Sequence, residues 1–133
     1  MRSEIINTLK NILEKEFKTK VKRGIIEIGE LNTYSKFPLI CINTDGSSIE
    51  SIPFNGTVNV VMTTTIRFYG KSNDYYGAID DVIDRMISAL TRCDHASLLG
   101  IVDVDIVELL NDGTIDKNIF AISVNMKVKY QMR

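Results

Sequence analysis

Residues 119–133 constrain the fold more than any other stretch of this chain. Phe120, Ile122, Val124, Met126, Val128, Tyr130 and Met132 share one parity. Ala121, Ser123, Asn125, Lys127, Lys129, Gln131 and Arg133 share the other. A period of two held this long puts successive side chains on opposite faces of a β-strand. One face is apolar and needs cover; the other is polar. The rest of the chain must therefore supply partner strands and a layer to pack on them.

A second strand is read over 57–69, "TVNVVMTTTIRFY". Val58, Val60, Met62, Ile66 and Phe68 take one face, and Thr57, Asn59, Thr63, Thr65 and Arg67 the other, with Gly70 as its end. Two amphipathic helices supply the cover. The first spans 3–18 with Ser3 as N-cap and Ile5, Leu9, Ile12, Leu13 and Phe17 as its stripe. The second opens at Asn73 (the expected N-cap) and Asp74, and ends near Thr91–Asp94. Its stripe is Tyr76, Ile79, Ile83, Met86, Ile87 and Leu90, with Asp80, Asp81, Asp84 and Arg85 outward. Lys15, Lys18, Lys20, Lys22 and Arg23 gather where the first helix ends. They are read as a solvated helix end that suits the dipole, with a contact patch as the alternative.

Residues 24–32 can hold a short strand. In "FPLICIN", Pro38 belongs at a strand start or edge, and Leu39–Ile42 is apolar on both parities. That points to a central strand or to cover on both faces. Residues 43–56, "NTDGSSIESIPFNG", read as a long connecting loop with turn signals at Asp45-Gly46 and Asn55-Gly56. Ile49, Ile52 and Phe54 are unusual in a solvated loop; they either anchor a partner or tuck back onto the domain.

The segment "IVDVDIVELLND" (101–112) raises the question of chemistry, because Asp103, Asp105 and Glu108 lie close together. Read as a strand over 101–110, it sets Val102, Val104 and Ile106 on one face and Asp103 and Asp105 on the other. The two aspartates stand about 7 Å apart. They can share an ion with a third ligand, but no third ligand occurs at a diagnostic spacing. The expected reading is an outward acidic row. The phase slips at Ile106-Val107, so a β-bulge near 106–108 or two-sided burial is expected. Asp112-Gly113 marks the turn into the last strand.

Other chemical signatures are weak. Cys93 and His95 in "RCDHAS" lack the further ligands a zinc site needs, and a Cys–His nucleophile pair needs an orienting third group. There is no G-x-S-x-G, P-loop or G-x-G-x-x-G; Gly70-Lys71-Ser72 lacks the upstream glycine spacing. Neither enzyme activity nor a cofactor is expected. The formal net charge is −1, which does not suit a chain that grips nucleic acid through its phosphates. The two cysteines are no disulfide framework, and Cys41 reads as a small buried hydrophobe. The charged N-terminus is no secretory signal, and no apolar run approaches the ~20 residues a membrane span needs. The expected setting is a reducing cytoplasm until assembly, with no membrane partner.

The 133 residues fit one domain, with an ordinary balance of 44% apolar and 25% charged residues. The expected fold class is α+β. It has two layers, with a mainly antiparallel four- to five-stranded sheet and two amphipathic helices on one face, the other face being polar. Arg67, Lys127, Lys129 and Arg133 would give that open face positive character, fit to meet a neighbour's acidic groups.

The order of these features resembles the tail terminator (tail completion, minor tail protein U-like) family of tailed bacteriophages. The resemblance covers nearly the whole chain. It rests on the N-terminal helix, the "FPLICI" strand with proline second, the long loop, "TTTIRFYGKSND", the helix "YYGAIDDVIDRMISAL", and "LGIVDVDIVELLNDG" before the closing strand. It implies a structural virion protein of the neck or tail, assembled in the host cytoplasm. Six copies would form a ring that caps the tail tube, stops its growth and meets the head connector or stopper. DNA would pass the lumen without specific binding. The resemblance makes 43–56 an interaction arm and 111–118 a second contact. Candidate interface residues are Asp45, Ile49, Ile52, Phe54, Asn111, Asp112, Asp103, Asp105, Lys127 and Lys129. Head-completion and tail-tube proteins of related fold are the alternative; a small metal-dependent enzyme using Asp103, Asp105 and Glu108 is the other.

Overall fold

The computed structural model describes residues 2–26, 37–51, 58–91, 98–108 and 119–132. Helix α1 (Arg2–Phe17) is followed by β1 (Val21–Arg23), β2 (Leu39–Ser51), β3 (Val58–Lys71), helix α2 (Tyr75–Thr91), β4 (Leu98–Glu108) and β5 (Ile119–Met132). The strands form one sheet in the order β1-β2-β3-β5-β4. The β1–β2 pairing is parallel, while β2–β3, β3–β5 and β4–β5 are antiparallel. With two helices against this sheet, the fold is the expected α+β two-layer arrangement.

The last strand organises the sheet. β5 pairs with β3 along its whole length, from Lys71↔Ile119 to Val58↔Met132 without a register shift, and with β4 on its other side. Its even-numbered residues from Phe120 to Tyr130 are buried and join Met62, Ile66 and Phe68 of β3 in the main core. α1 contributes Ile5, Ile6, Leu9, Leu13 and Phe17, and α2 contributes Ile79, Val82, Met86 and Leu90. Burying one such aliphatic or aromatic side chain is worth roughly 1.5–3 kcal/mol, so this face carries most of the fold's apolar free energy. The helices are joined at one end by Arg85. Its Nε donates to Glu16 Oε1 at 3.1 Å, its Nη2 donates to the Glu16 carbonyl at 2.8 Å, and its guanidinium carbon lies 4.6 Å from the Phe17 ring centre.

Several local expectations are corrected. α1 begins at Arg2, so Ser3 lies inside its first turn rather than capping it. Ile12 is only half-buried, and Ile6 takes its place in the core. Asp74, not Asn73, caps α2: its Oδ1 accepts from the Gly77 backbone N–H at 3.3 Å. A Cβ on Gly77 would collide with that carboxylate. Tyr76 and Ile87 are exposed, 78% and 38%, because the buried stripe runs through Ile79, Val82, Met86 and Leu90. β3 does not end at Gly70 but continues to Lys71. Gly70 is needed there because a Cβ would meet the Phe120 ring.

Of the segment 24–32, where a short strand is expected, residues 24–26 are not strand and 27–32 lie outside the described residues; a short strand is found just before it, at Val21–Arg23. Gly24, at φ +116°, turns the chain out of the strand, although its N–H still donates to the Ile42 carbonyl at 2.8 Å. Lys22 and Arg23 therefore belong to an outer strand rather than to a frayed helix end. Most of the expected loop 43–56 is strand, since β2 runs to Ser51. Register shifts at Thr44/Gly46 and at Ile49/Ser51 insert an extra residue each, which broke the alternation that would have revealed it. Likewise β4 starts at Leu98, and its register shift lies at Ile101/Asp103, not at 106–108.

The face away from the helices is not polar throughout. Ile26, Cys41, Tyr69, Ile119 and Ala121 form a second apolar cluster, with Phe37 and Leu39 against it. Tyr69 Oη donates to the Ile26 carbonyl at 3.4 Å and ties the 24–26 segment down over the strands. The two-sided burial of Leu39–Ile42 follows from this cover. Among the described residues no helix is long and apolar enough to cross a membrane.

Candidate functional site

Beyond that small cluster the second face is open and polar. β3 contributes Thr63, Thr65 and Arg67, and β5 contributes Ser123, Asn125, Lys127 and Lys129. The alternation of β5 places these residues opposite its core parity. Ser123 is buried, Asn125 half-buried, and Lys127 and Lys129 exposed, so the face becomes wetter along the strand. Thr65 Oγ1 donates to Asn125 Oδ1 at 2.9 Å across the β3–β5 pair.

A concavity of about 290 Å³ crosses this face, floored by Cys41, Asn43, Thr65, Arg67 and Ser123. Gly24 and Ile25 wall it on the β1 side and Asp105 on the β4 side. Arg67 sits mid-sheet, with Cys41 and Ser123 as its register neighbours. Burial pushes the Cys41 thiol up from its ordinary value, against the opposing pull of the Ile26 backbone and the Arg67 charge. The thiol is 2% exposed and protonated at neutral pH, which suits packing and not attack. A second concavity of about 330 Å³ lies where α1 ends and α2 begins, between Phe17, Phe68, Phe120, Lys71 and Arg85.

The structure brings together some of the residues singled out from sequence. Lys127 and Lys129 are exposed on the open face, opposite Gly100 and Leu98 of β4. Asp105 is exposed and opposite Ser123, and Asp103 is at the register position opposite Asn125. Glu108 is at the position opposite Phe120, which belongs to the helix-covered face. The register thus separates Glu108 from the two aspartates. Among the described residues no group of three or more His, Cys, Asp and Glu is placed to hold a metal ion. Asp45 is the extra residue at the Thr44/Gly46 shift, and Ile49 is opposite Val60 in the β2–β3 hairpin. Ile52, Phe54, Asn111 and Asp112 lie outside the described residues, as do Cys93 and His95.

Sequence reasoning missed one feature of this surface. Ile106 and Val107 are 53% and 36% exposed on β4, an outer strand of the sheet. The signal was the doublet itself. Two neighbouring apolar residues in a strand put one on each face, and at a sheet edge neither face is well covered.

The arrangement offers a broad polar face with cations on β5 and a carboxylate on β4. Where such a face meets another, complementary charge can set partner and register. No known family model matches the chain, and no curated protein matches it.

Proposed function

We propose that this chain is a structural subunit of a tailed-phage neck or tail, most specifically a tail terminator. It forms a ring of copies, six by the resemblance, on the end of the tail tube and in contact with the head connector. The observation that carries the reading is that both helices cover one sheet face. The polar face and the two outer strands therefore remain for neighbours. A subunit that works by assembly needs such surfaces, and it needs no constellation of reacting groups.

The sequence resemblance gives the proposal its specific form. The β2–β3 pairing, which reaches Ser51↔Asn59, serves as the arm. In this reading the protein resides in the virion, and DNA slides through the lumen without a specific contact. The near-neutral balance of 16 basic and 17 acidic residues accords with that.

Native mass spectrometry and negative-stain microscopy, with and without purified tail tubes, test the proposal. Rings of uniform copy number, or rings seated on tube ends, are the expected result. A strictly monomeric species at high concentration, unchanged by tubes, overturns it.

A further inference from the structure

We infer that successive copies join head to tail through the two outer edges of the sheet, β4 of one copy against residues 18–25 of the next. This rests on the ring reading above and names the surfaces that would close the ring. The two edges lie at opposite ends of the strand order, β1 at one and β4 at the other. Their charges are opposite. Residues 18–23, "KTKVKR", hold four cations and no carboxylate, whereas 98–108, "LLGIVDVDIVE", hold three carboxylates and no cation. Lys18, Lys20, Lys22 and Arg23 are all exposed, as is Asp105.

Apolar exposure falls in the same places. Five large hydrophobic residues are exposed among the described ones: Ile106 at 53% and Val107 at 36% lie on β4, and Ile25 at 56% follows two residues after the end of β1. Each edge thus presents an apolar element beside its charge, the composition of a surface covered in an assembly.

The same charges select the symmetry. A two-fold contact would set β4 against β4, or β1 against β1, with like charges opposed. Only unlike edges attract, and a contact between unlike edges is heterologous. Repeated with a closing rotation, it makes a ring. β1 offers only three residues of backbone edge, so side chains carry the contact rather than a long added ladder.

A charge exchange tests this. Lys20→Glu, Lys22→Glu and Arg23→Glu together make the β1 edge acidic, and Asp103→Lys with Asp105→Lys makes the β4 edge basic. At low ionic strength each variant alone should self-associate at least about tenfold more weakly than wild type, read by sedimentation and native mass spectrometry. An equimolar mixture should recover assembly, because each altered edge then finds an unlike partner. Equal assembly of either variant alone, or a mixture that recovers nothing, overturns the edge pairing while rings of wild type leave the ring reading standing. A wild-type chain that stays monomeric with and without tubes overturns both.

A second measurement needs no variant to fold. Zero-length carbodiimide coupling in mixed light and ¹⁵N-labelled wild-type rings should give intermolecular links from Asp103 or Asp105 to Lys20 or Lys22. Rings without such links overturn the edge pairing.

Discussion

The two faces of this sheet are made from the same strands and obey different rules. On the helix-covered face, Phe120, Ile122, Val124, Met126, Val128 and Tyr130 of β5 are all at most 8% exposed. On the other face the same strand passes from buried Ile119, Ala121 and Ser123 to exposed Lys127 and Lys129. The first face holds the fold together. Among the described residues the second is packed where Ile26 and Phe37 lie against it, and Lys127 and Lys129 stay exposed. In the function proposed above, fold and association are thus assigned to opposite parities.

The largest break in that comparison comes from Phe68→Ala. Phe68 is 4% exposed, with ring centres of Phe17 and Phe120 at 5.0 Å and 6.2 Å. Loss of about 3–5 kcal/mol is expected in urea denaturation. A loss below about 1 kcal/mol would mean that the cluster is not one cooperative core. Gly70→Ala is next. The new methyl enters the Phe120 ring, which is buried and cannot swing away freely, so about 1–3 kcal/mol should be lost.

Thr64 tests the same face with the opposite sign. It stands in the core parity of β3 at 0% exposure, and its Oγ1 has no hydrogen-bond partner. Thr64→Val keeps the shape and removes a stranded hydroxyl, so a gain of about 1 kcal/mol is expected. A loss of similar size would show that the hydroxyl is satisfied in solution.

Cys41 sharpens the boundary between the faces. Burial raises its folded-state pKa above the ordinary thiol value of 9.0. Its stability contribution is therefore complete below about pH 9 and is lost as pH rises from there through the higher folded value. Wild type should lose stability over that alkaline range relative to Cys41→Ala; parallel pH curves would show that the thiol is not buried as described. The smallest effect belongs to Lys127→Ala on the open face, within about 0.5 kcal/mol of wild type in melting experiments. A larger loss there would remove the distinction between the faces.

The open face was partly legible beforehand. Lys127, Lys129 and Asp105 follow from alternation alone, which assigns a face as soon as the covered one is known. Arg67 was visible in the same way. The exposure of Ile106 was not, since an apolar residue on the core parity is buried only if the layer above reaches that edge. Ile83 and Ile87 show the same limit on α2: both fit a helical stripe, yet Ile87 is 38% exposed and Ile83 half-buried, because Val82 meets the sheet instead. The loop expected at 43–56 failed for a sharper reason. Each bulge in β2 shifts the parity by one, and a strand with shifted parity reads as irregular.

By itself the sequence determined the inward parity of β3 and β5 and the two helices that cover them. Those properties are local, because the period of a strand or helix is written in adjacent residues. Tertiary structure alone decided that β5 lies between β3 and β4, that β1 pairs parallel with β2, and where each bulge falls. Alternation says which face a residue takes but not which distant strand it faces. That choice belongs to pairings between segments far apart in the chain, where packing of the shared core selects one register over its neighbours.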